Sequence, residues 1–541
     1  MKKLTGKILA LFLVCVMVFS FAACGNGTKN ADPSASSNSP SAPSENKPTE
    51  NKPTESNNSP SNENADRVLN VAVMGDSGSL IPMSMSGDGG MQNAALTYMD
   101  NLFSYALDKT TFRPNLVTGW DMVSDIQYTL HLREGVSFSN GNAFTAEDII
   151  FSMNLVAKNP LHALAVKSVD FEKTNIIDDY TIDFWLTKYD VGHWKGIAIL
   201  MVYDAESFDA NDSLNPIGTG PYIVKDYVVN SHLTMIARDD YWGDPVQIKE
   251  IQFKVIAEES QRVNALTTGD VDISRVPLKD IEYVETLGKY NVVRCNSGQS
   301  ACAFFNMSED CILNTPEKRQ AICYAIDAES IVDIVFSGQS STVGWPLTEQ
   351  MTDLEPDMLN MTGIYADGYN LEKAKEIIDR TGLAGKTLRI VSNGEMQYIT
   401  TAEIIQASLR EVGMDAEIIS YDAASWMSIL FDPSLFDLAL WFCSSPSYSA
   451  VDSLNMYPQF IPCGWSGTAR EEYLALTTKA VSTVSDEERA PLLRQILEIH
   501  EEYVPWYSFA EQIFGVAASD EIGGLEINSI GGINYEELYW N

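Results

Sequence analysis

The stretch LEKAKEIIDRTGLAGKTLRIVSNGEMQYITTAEIIQASLREVGMDAEIISYDAASWMSILFDPSLFDLALWF, residues 371–442, alternates two hydrophobic periods. Leu371–Arg380 reads as a helix with Gly382 as its stop. Thr387–Val391 reads as a strand. Ile405, Leu409 and Val412 form one stripe of a helix predicted over Thr401–Val412, and Gly413 ends it. Asp415–Ser420 then reads as a strand, Ala423–Leu430 as a helix and Phe436–Phe442 as a buried strand. Strand and helix by turns predict an α/β fold, a parallel-rich sheet covered by helices.

Upstream, Val68–Met74 alternates and predicts the strand that begins the folded body. Thr129–Leu132 predicts another. Thr145 and Asp148 form a capping-box pattern ahead of Ile149, Met153 and Val156, which share one helical face. Before the body, residues 25–65 hold Asn, Ser, Pro, Lys, Thr and Glu with almost nothing apolar, and Glu45–Thr49 repeats at once as Glu50–Thr54. Such a segment buries too little apolar surface to offset its ordering entropy and reads as a tether. Residues 1–23 join Lys2, Lys3 and Lys7 to an apolar run from Ile8 to Phe19, with small residues at Ala22 and Ala23. That is a secretory signal peptide, its apolar run too short for a span.

The chain has 541 residues, enough for several domains, with 36 Lys and Arg against 74 Asp and Glu and a formal charge of −38. Losing residues 1–23 removes three lysines and no acid, which takes −38 to −41. This balance excludes a general nucleic-acid binder and broad contact with anionic lipid, and it favours a monomer. The body keeps Cys295, Cys302, Cys311, Cys323, Cys443 and Cys463, with no CxxC pair. Export permits disulfides but a large core does not need them, so bridges and buried thiols both stay open. The five histidines are scattered without HxxxH or HExxH, so neither a metal nor another cofactor is expected. Gly75–Ser79 (GDSGS) and Gly464–Thr468 (GWSGT) imitate hydrolase motifs but read as Gly-Ser turns.

Several blocks then fall in a recognisable order. They are Leu116–Trp120, Tyr128–Arg133, Phe138–Gly141 with Phe144–Ile149, Gly218–Tyr222 (GTGPY), Asp240–Gly243 (DYWG) and Ala265–Asp272 (ALTTGDVD). Phe305-Asn306, Arg319–Ile322 with Ala325–Asp327, Asn370–Ala374, Leu409–Gly413, Trp426 and Phe436-Asp437 complete the set. In this ordered set residues 67–541 resemble family 5 extracellular solute-binding proteins of ABC importers, the oligopeptide, dipeptide and nickel group. Within the blocks, Gly218 and Gly220 read as positive-φ turn residues, Asn140-Gly141 as a turn, Trp242 as core and Asp437 as a structural acid inside its strand.

The resemblance implies a two-lobed periplasmic-binding-protein-like clamp with an additional inserted domain. Lobe I is expected from 67–110, 200–300 and 511–541, the inserted domain from 111–199 and lobe III from 301–510. Two strands are expected to cross between lobes near Ala303–Phe305 and Phe509-Ala510. The ending Phe21-Ala22-Ala23-Cys24 resembles a bacterial lipobox. It implies cleavage before Cys24, lipid on that residue, 24–66 as lipidated tether, and a place on the extracellular face of the cell membrane. The implied partners are a peptide or small-molecule ligand, a permease and an ATPase. No Walker A pattern is present, so ATP binds elsewhere.

By the same resemblance the ligand site lies in the interlobe cleft, with candidates Ser79, Leu80, Met83, Asn306, Trp426, Trp441, Ser444, Ser445, Tyr448 and Trp465. Peptide binders of the family place an Asp just after the strand that here is 436–442. This chain has hydroxyls and aromatics there, and Asp452 stands farther along. The leading expectation is a carrier of peptides or peptide-like solutes. The alternative is the same role for oligosaccharides or another neutral solute, which aromatic faces and hydroxyls suit. A surface enzyme or peptide-holding chaperone is the reading from a different class. Nickel is disfavoured, since the C-terminal half offers only His500.

Overall fold

The computed structural model describes residues 67–541 except 86–88, 106–111, 160–161, 199, 344–350, 352, 360–362, 422, 445–448, 462 and 528–531. The leader, Cys24 and the tether therefore lie outside the described residues, as do Ser445 and Tyr448.

One ten-stranded sheet runs through the body. Its order is Asp415–Ser420, Thr387–Ser392, Leu438–Ser444, Tyr290–Phe305, Trp506–Ser519, Ile273–Val276, Val68–Val73, Glu250–Val255, His232–Ala237 and Tyr222–Val228. Helices Leu371–Thr381, Met396–Glu411 and Ala423–Leu430 alternate with its outer strands, as the sequence predicts. Asn370 caps the first helix by accepting the Lys373 N–H at 3.0 Å, and Gly382 ends it at φ 74°. Tyr398, Ala402, Ile405 and Leu409 form the buried stripe of the second. The strand predicted from Phe436 begins instead at Leu438. Asp437 stands just ahead of it and turns its carboxylate to Arg389, accepting the backbone N–H and a guanidinium N–H, each at 2.9 Å. Asp437 is thus structural, but outside the strand.

The sheet is mixed rather than parallel-rich. Thr387–Ser392 and Val68–Val73 are each parallel to both neighbours. The two long strands are antiparallel to everything they pair with. Tyr290–Asn296 pairs with Ile513–Ser519, Ser300–Phe304 pairs with Trp506–Glu511, and the register shifts between Asn296 and Ser300 and again between Ala301 and Cys302. Along the long strands, Leu438–Ser444 pairs with Gln299–Phe305, and Ile273–Val276 with Gly515–Ala518. Each long strand therefore serves two halves of the sheet, and the halves meet at a break in register.

Buried apolar side chains follow the same division. One cluster lies entirely within Ala301–Ala510. A second gathers residues of 69–99, 203–273 and 516–538, and a small fourth, with Ala72, Leu266 and Ala517, adjoins the same strands. A third runs from Leu102 to Val202. It fills the space between helix Ala146–Ala157 and an antiparallel sheet ordered Val117–Ser124, Gln127–Leu132, Thr181–Trp185, Asn175–Asp178. Asp148 accepts the Thr145 N–H at 2.7 Å, the acidic half of the predicted capping box.

The GTGPY turn overturns its sequence reading. Neither Gly218 nor Gly220 has a positive φ. Their need for glycine is close approach: a Cβ on Gly218 would sit 2.1 Å from the Tyr98 carbonyl oxygen, and one on Gly220 2.7 Å from the Tyr98 carbonyl carbon. Trp242 packs against the third cluster and donates its indole N–H to Asp100 and to the Thr219 carbonyl, both at 3.1 Å. The six body cysteines are all buried, and no disulfide joins them.

Candidate binding groove

A groove of ≈ 780 Å³ lies beside the register break. One wall carries Glu258, Glu259, Arg275 and Lys279, from the side of the second cluster. The other carries Phe336, Glu395, Gln397 and Thr400, from the side of the first, and the crossing strand contributes Ile513 and Phe514. Both signs of charge face it. The Arg275 guanidinium lies 4.1 Å from the Phe514 ring centroid, which holds the cation over an aromatic face.

Local structure fixes these walls. Arg275 is next to last in the strand Ile273–Val276, and the Asn393-Gly394-Glu395 turn follows Thr387–Ser392, so both sit at the carboxyl ends of strands with parallel neighbours. Ligands of open α/β sheets collect at such ends. Gly394 takes φ 82° to make the turn, and the Glu395 carboxylate accepts the Gln397 amide N–H at 2.7 Å. At the break, the Gln512 amide donates to the Tyr398 hydroxyl at 2.9 Å and the Asn296 amide to Glu511 at 2.7 Å. Burial raises the Tyr398 pKa well above its ordinary value, so the phenol stays neutral. Gln339 ties the two sides together, donating to the Leu278 carbonyl at 2.6 Å and accepting from Arg294 at 2.8 Å.

None of the described candidates from the sequence lines this groove. Asn306 is buried, with its amide N–H groups donated to the Pro433 and Phe436 carbonyls and its oxygen accepting the Ser308 N–H at 2.9 Å. Its hydrogen-bonding capacity is spent on the fold. Trp465 is core, 7 % exposed and packed by Tyr473 and Tyr503. Trp426 is also buried and meets the half-buried Trp441 edge-on at 6.4 Å. Trp441 stands opposite Cys302 on the strand that also carries Ser444. Leu80 is wholly buried, and the Ser79 hydroxyl accepts the Ile81 N–H at 3.0 Å. Met83 lines a different cavity. Asp452, weighed as a substitute acid, lies in the first turn of helix Ala450–Phe460, where its carboxylate oxygen would be 2.9 Å from a Cβ on Gly192.

Gly75–Ser79 is a turn, as read. The Asp76 carboxylate accepts the Gly78 N–H at 2.7 Å, the Tyr227 hydroxyl at 2.6 Å and the Asn230 N–H at 2.6 Å. Burial alone would raise its pKa, but these three donors outweigh it and hold the carboxyl below its ordinary value. Among the described residues no group of three His, Cys, Asp or Glu is placed to hold a metal ion, and His500 is buried. Among the same residues no helix is long and apolar enough to cross a membrane.

Sequence reasoning missed Arg275, Lys279, Glu395 and Gln397. The available signal was positional: polar and charged residues at or within a few residues of the carboxyl ends of strands with parallel neighbours, rather than an enrichment of aromatics.

A two-walled groove beside two crossing strands defines a class, the clamp that closes on a solute. Comparison with known proteins agrees. Residues 111–457 match the model of the bacterial extracellular solute-binding proteins, family 5 middle region. The chain is 24 % identical over 494 residues to heme-binding protein A of Haemophilus influenzae, spanning 84 % of this chain and 88 % of that one. It is 23 % identical over 491 residues to the dipeptide-binding protein of Escherichia coli, spanning 81 % and 88 %. The structure of the periplasmic binding protein DppA from Helicobacter pylori, in complex with the peptide STSA, superposes with a TM-score of 0.74 at 22 % identity. That match covers 88 % of this chain and 98 % of that one. The chain belongs to the family 5 extracellular solute-binding proteins of ABC importers, and its fold is their α/β clamp. These relatives are solute-binding proteins rather than enzymes.

Proposed function

We propose that this protein captures peptides or peptide-like solutes outside the cell and delivers them unchanged to a permease driven by an ATPase. The observation that carries the reading is the groove beside the register break, with charges of both signs on its two walls. A peptide is a zwitterion. Its α-ammonium suits Glu258 or Glu395, and its carboxylate suits Arg275 or Lys279, in charge-assisted contacts that strengthen as water leaves. The relatives named for dipeptide binding and solved with STSA support the same class. A solute touching both walls favours the closed arrangement by its differential affinity.

In this reading lobe I comprises 67–110, 200–300 and 511–541, the inserted domain 111–199 and lobe III 301–510. The three larger buried clusters support that division except at the edges of the inserted domain, where the third also takes in Leu102, Phe103, Leu200 and Val202. Lipid on Cys24 and the tether to residue 66 hold a monomeric body at the membrane face. Several acyl chains on one residue anchor firmly, each buried CH₂ contributing roughly 0.8 kcal/mol.

Thermal-shift screening of the full chain against short peptides and oligosaccharides tests the ligand class. A true ligand at about 100 times its Kd stabilises by roughly 2.7 kcal/mol. A peptide response, with the peptide recovered intact, is expected. A response to oligosaccharides alone, for which the half-buried Trp441 is the supporting feature, would overturn the peptide assignment. Recovery of a cleaved peptide would overturn the transport role.

A further inference from the structure

Val191 belongs by position to the inserted domain, yet it packs against the buried cluster of Ala301–Ala510 rather than joining its own domain's cluster. Its backbone N–H donates to the Val481 carbonyl at 3.0 Å. Val481 is the last residue of helix Thr468–Val481, where a carbonyl finds no donor within the helix. Beside it, Gly192 approaches helix Ala450–Phe460 so closely that a Cβ would stand 2.9 Å from an Asp452 carboxylate oxygen. Tyr189 lies within electrostatic reach of Asp486 and Arg489, at the start of helix Asp486–Tyr503. One short loop thus meets three consecutive helices of 301–510. Among the described residues the large sheet takes no strand from 111–199, so this contact is separate from the crossing strands.

Asp190 shapes the loop from its own side. Its carboxylate accepts the Gly192 N–H at 2.9 Å and the Ser168 hydroxyl at 3.3 Å and pairs with Lys167 at 3.2 Å. Its carbonyl accepts the His193 N–H at 3.0 Å. With the turn already held, docking Val191 costs little further ordering.

We infer that Tyr189–Gly192 is a latch, which docks on lobe III when the clamp closes and so raises solute affinity without touching solute. The inference rests on the clamp reading and its division into lobes. None of the four residues lines the groove. A contact made only in the closed arrangement adds its free energy to that arrangement, whichever solute is inside. Its loss weakens unlike solutes by one common factor, whereas damage to the groove weakens them unequally.

Calorimetric titration and small-angle scattering of the full chain with two unlike peptides, trialanine and STSA, test this. Val191→Asp sets a charge against apolar side chains. It is expected to weaken both peptides by the same factor, at least about tenfold, and to move contraction to correspondingly higher concentration. Gly192→Val crowds Asp452 instead and is expected to act in the same direction. Val229→Asp, the same change at a valine 58 % exposed on lobe I, is expected to alter neither readout. Urea unfolding is expected to show all three variants folded. Unchanged affinity for both peptides in folded Val191→Asp and Gly192→Val would overturn the latch, and so would losses that differ severalfold between the peptides. An unmodified chain that contracts with neither peptide would overturn instead the reading on which the latch rests.

Discussion

His500 sits in the last turn of helix Asp486–Tyr503, wholly buried, with Nε2 3.2 Å from the Trp506 carbonyl oxygen. Burial pushes its pKa from the ordinary 6.5 down to about 3, against the smaller opposing effect of that hydrogen bond. The unfolded chain takes up a proton near pH 6.5, whereas the folded chain does so only near 3. Stability from this residue is therefore intact above pH 6.5 and is lost as pH falls toward 3, by about 2 kcal/mol at pH 5. Urea unfolding at pH 7 and pH 5 checks this. His500→Gln is expected to be less stable at pH 7 but to lose about 2 kcal/mol less than the unmodified chain between the two values. Parallel losses would show that the imidazole stays solvated. The same residue shows what was legible at this scale. Nickel was disfavoured because the C-terminal half offers only His500, and the structure places that histidine in the core. Asn306 and Trp465 went the other way. Amide and indole groups look alike in sequence whether they close a core or line a cleft, and only their partners, Pro433 and Phe436 for one and Tyr473 and Tyr503 for the other, decide.

Helix caps and stops were legible because they depend on neighbours in the chain. Gly382 ends its helix as read, and Gly413 takes φ 85° after helix Met396–Glu411. The GTGPY turn was located correctly and explained wrongly, since its glycines answer to Tyr98, far away in sequence. The two reasons for glycine give different costs. A Cβ on Gly218 would meet a backbone oxygen at 2.1 Å, and the backbone cannot yield without moving the end of helix Gly89–Tyr98. A Cβ on Gly413 would have nothing within 4 Å, so alanine there meets only the left-handed penalty. Gly218→Ala is therefore expected to cost about 2–3 kcal/mol or more, and Gly413→Ala about 1 kcal/mol. Denaturant midpoints at constant slope give both numbers. The reverse ranking would mean that the turn relaxes freely away from Tyr98.

For the whole molecule, the ordered blocks carried the clamp fold. The crossing was expected near Ala303–Phe305 and Phe509-Ala510, and the two long strands shift register twice, between Asn296 and Ser300, opposite Glu511 and Ile513, and again between Ala301 and Cys302, opposite Ala510 and Ser508. A break of this kind is set by which strands lie alongside, Leu438–Ser444 on one side and Ile273–Val276 on the other, and these come from remote parts of the chain. Its one local mark is Gly298, at φ 68° within the long strand Tyr290–Phe305. That glycine separates closure from stability. A valine there strains a left-handed position at the junction of the halves, and Gly382→Val strains one at a helix end far from it, φ 74°. Both variants are expected to lose about 1–3 kcal/mol of stability. Small-angle scattering across a peptide titration distinguishes them. The unmodified chain and Gly382→Val are expected to contract at the same peptide concentration. Gly298→Val is expected to need a severalfold different concentration, because about 1 kcal/mol of strain felt unequally by the open and closed arrangements moves that midpoint about fivefold. Contraction of all three at one concentration would place the turning point elsewhere along the crossing strands.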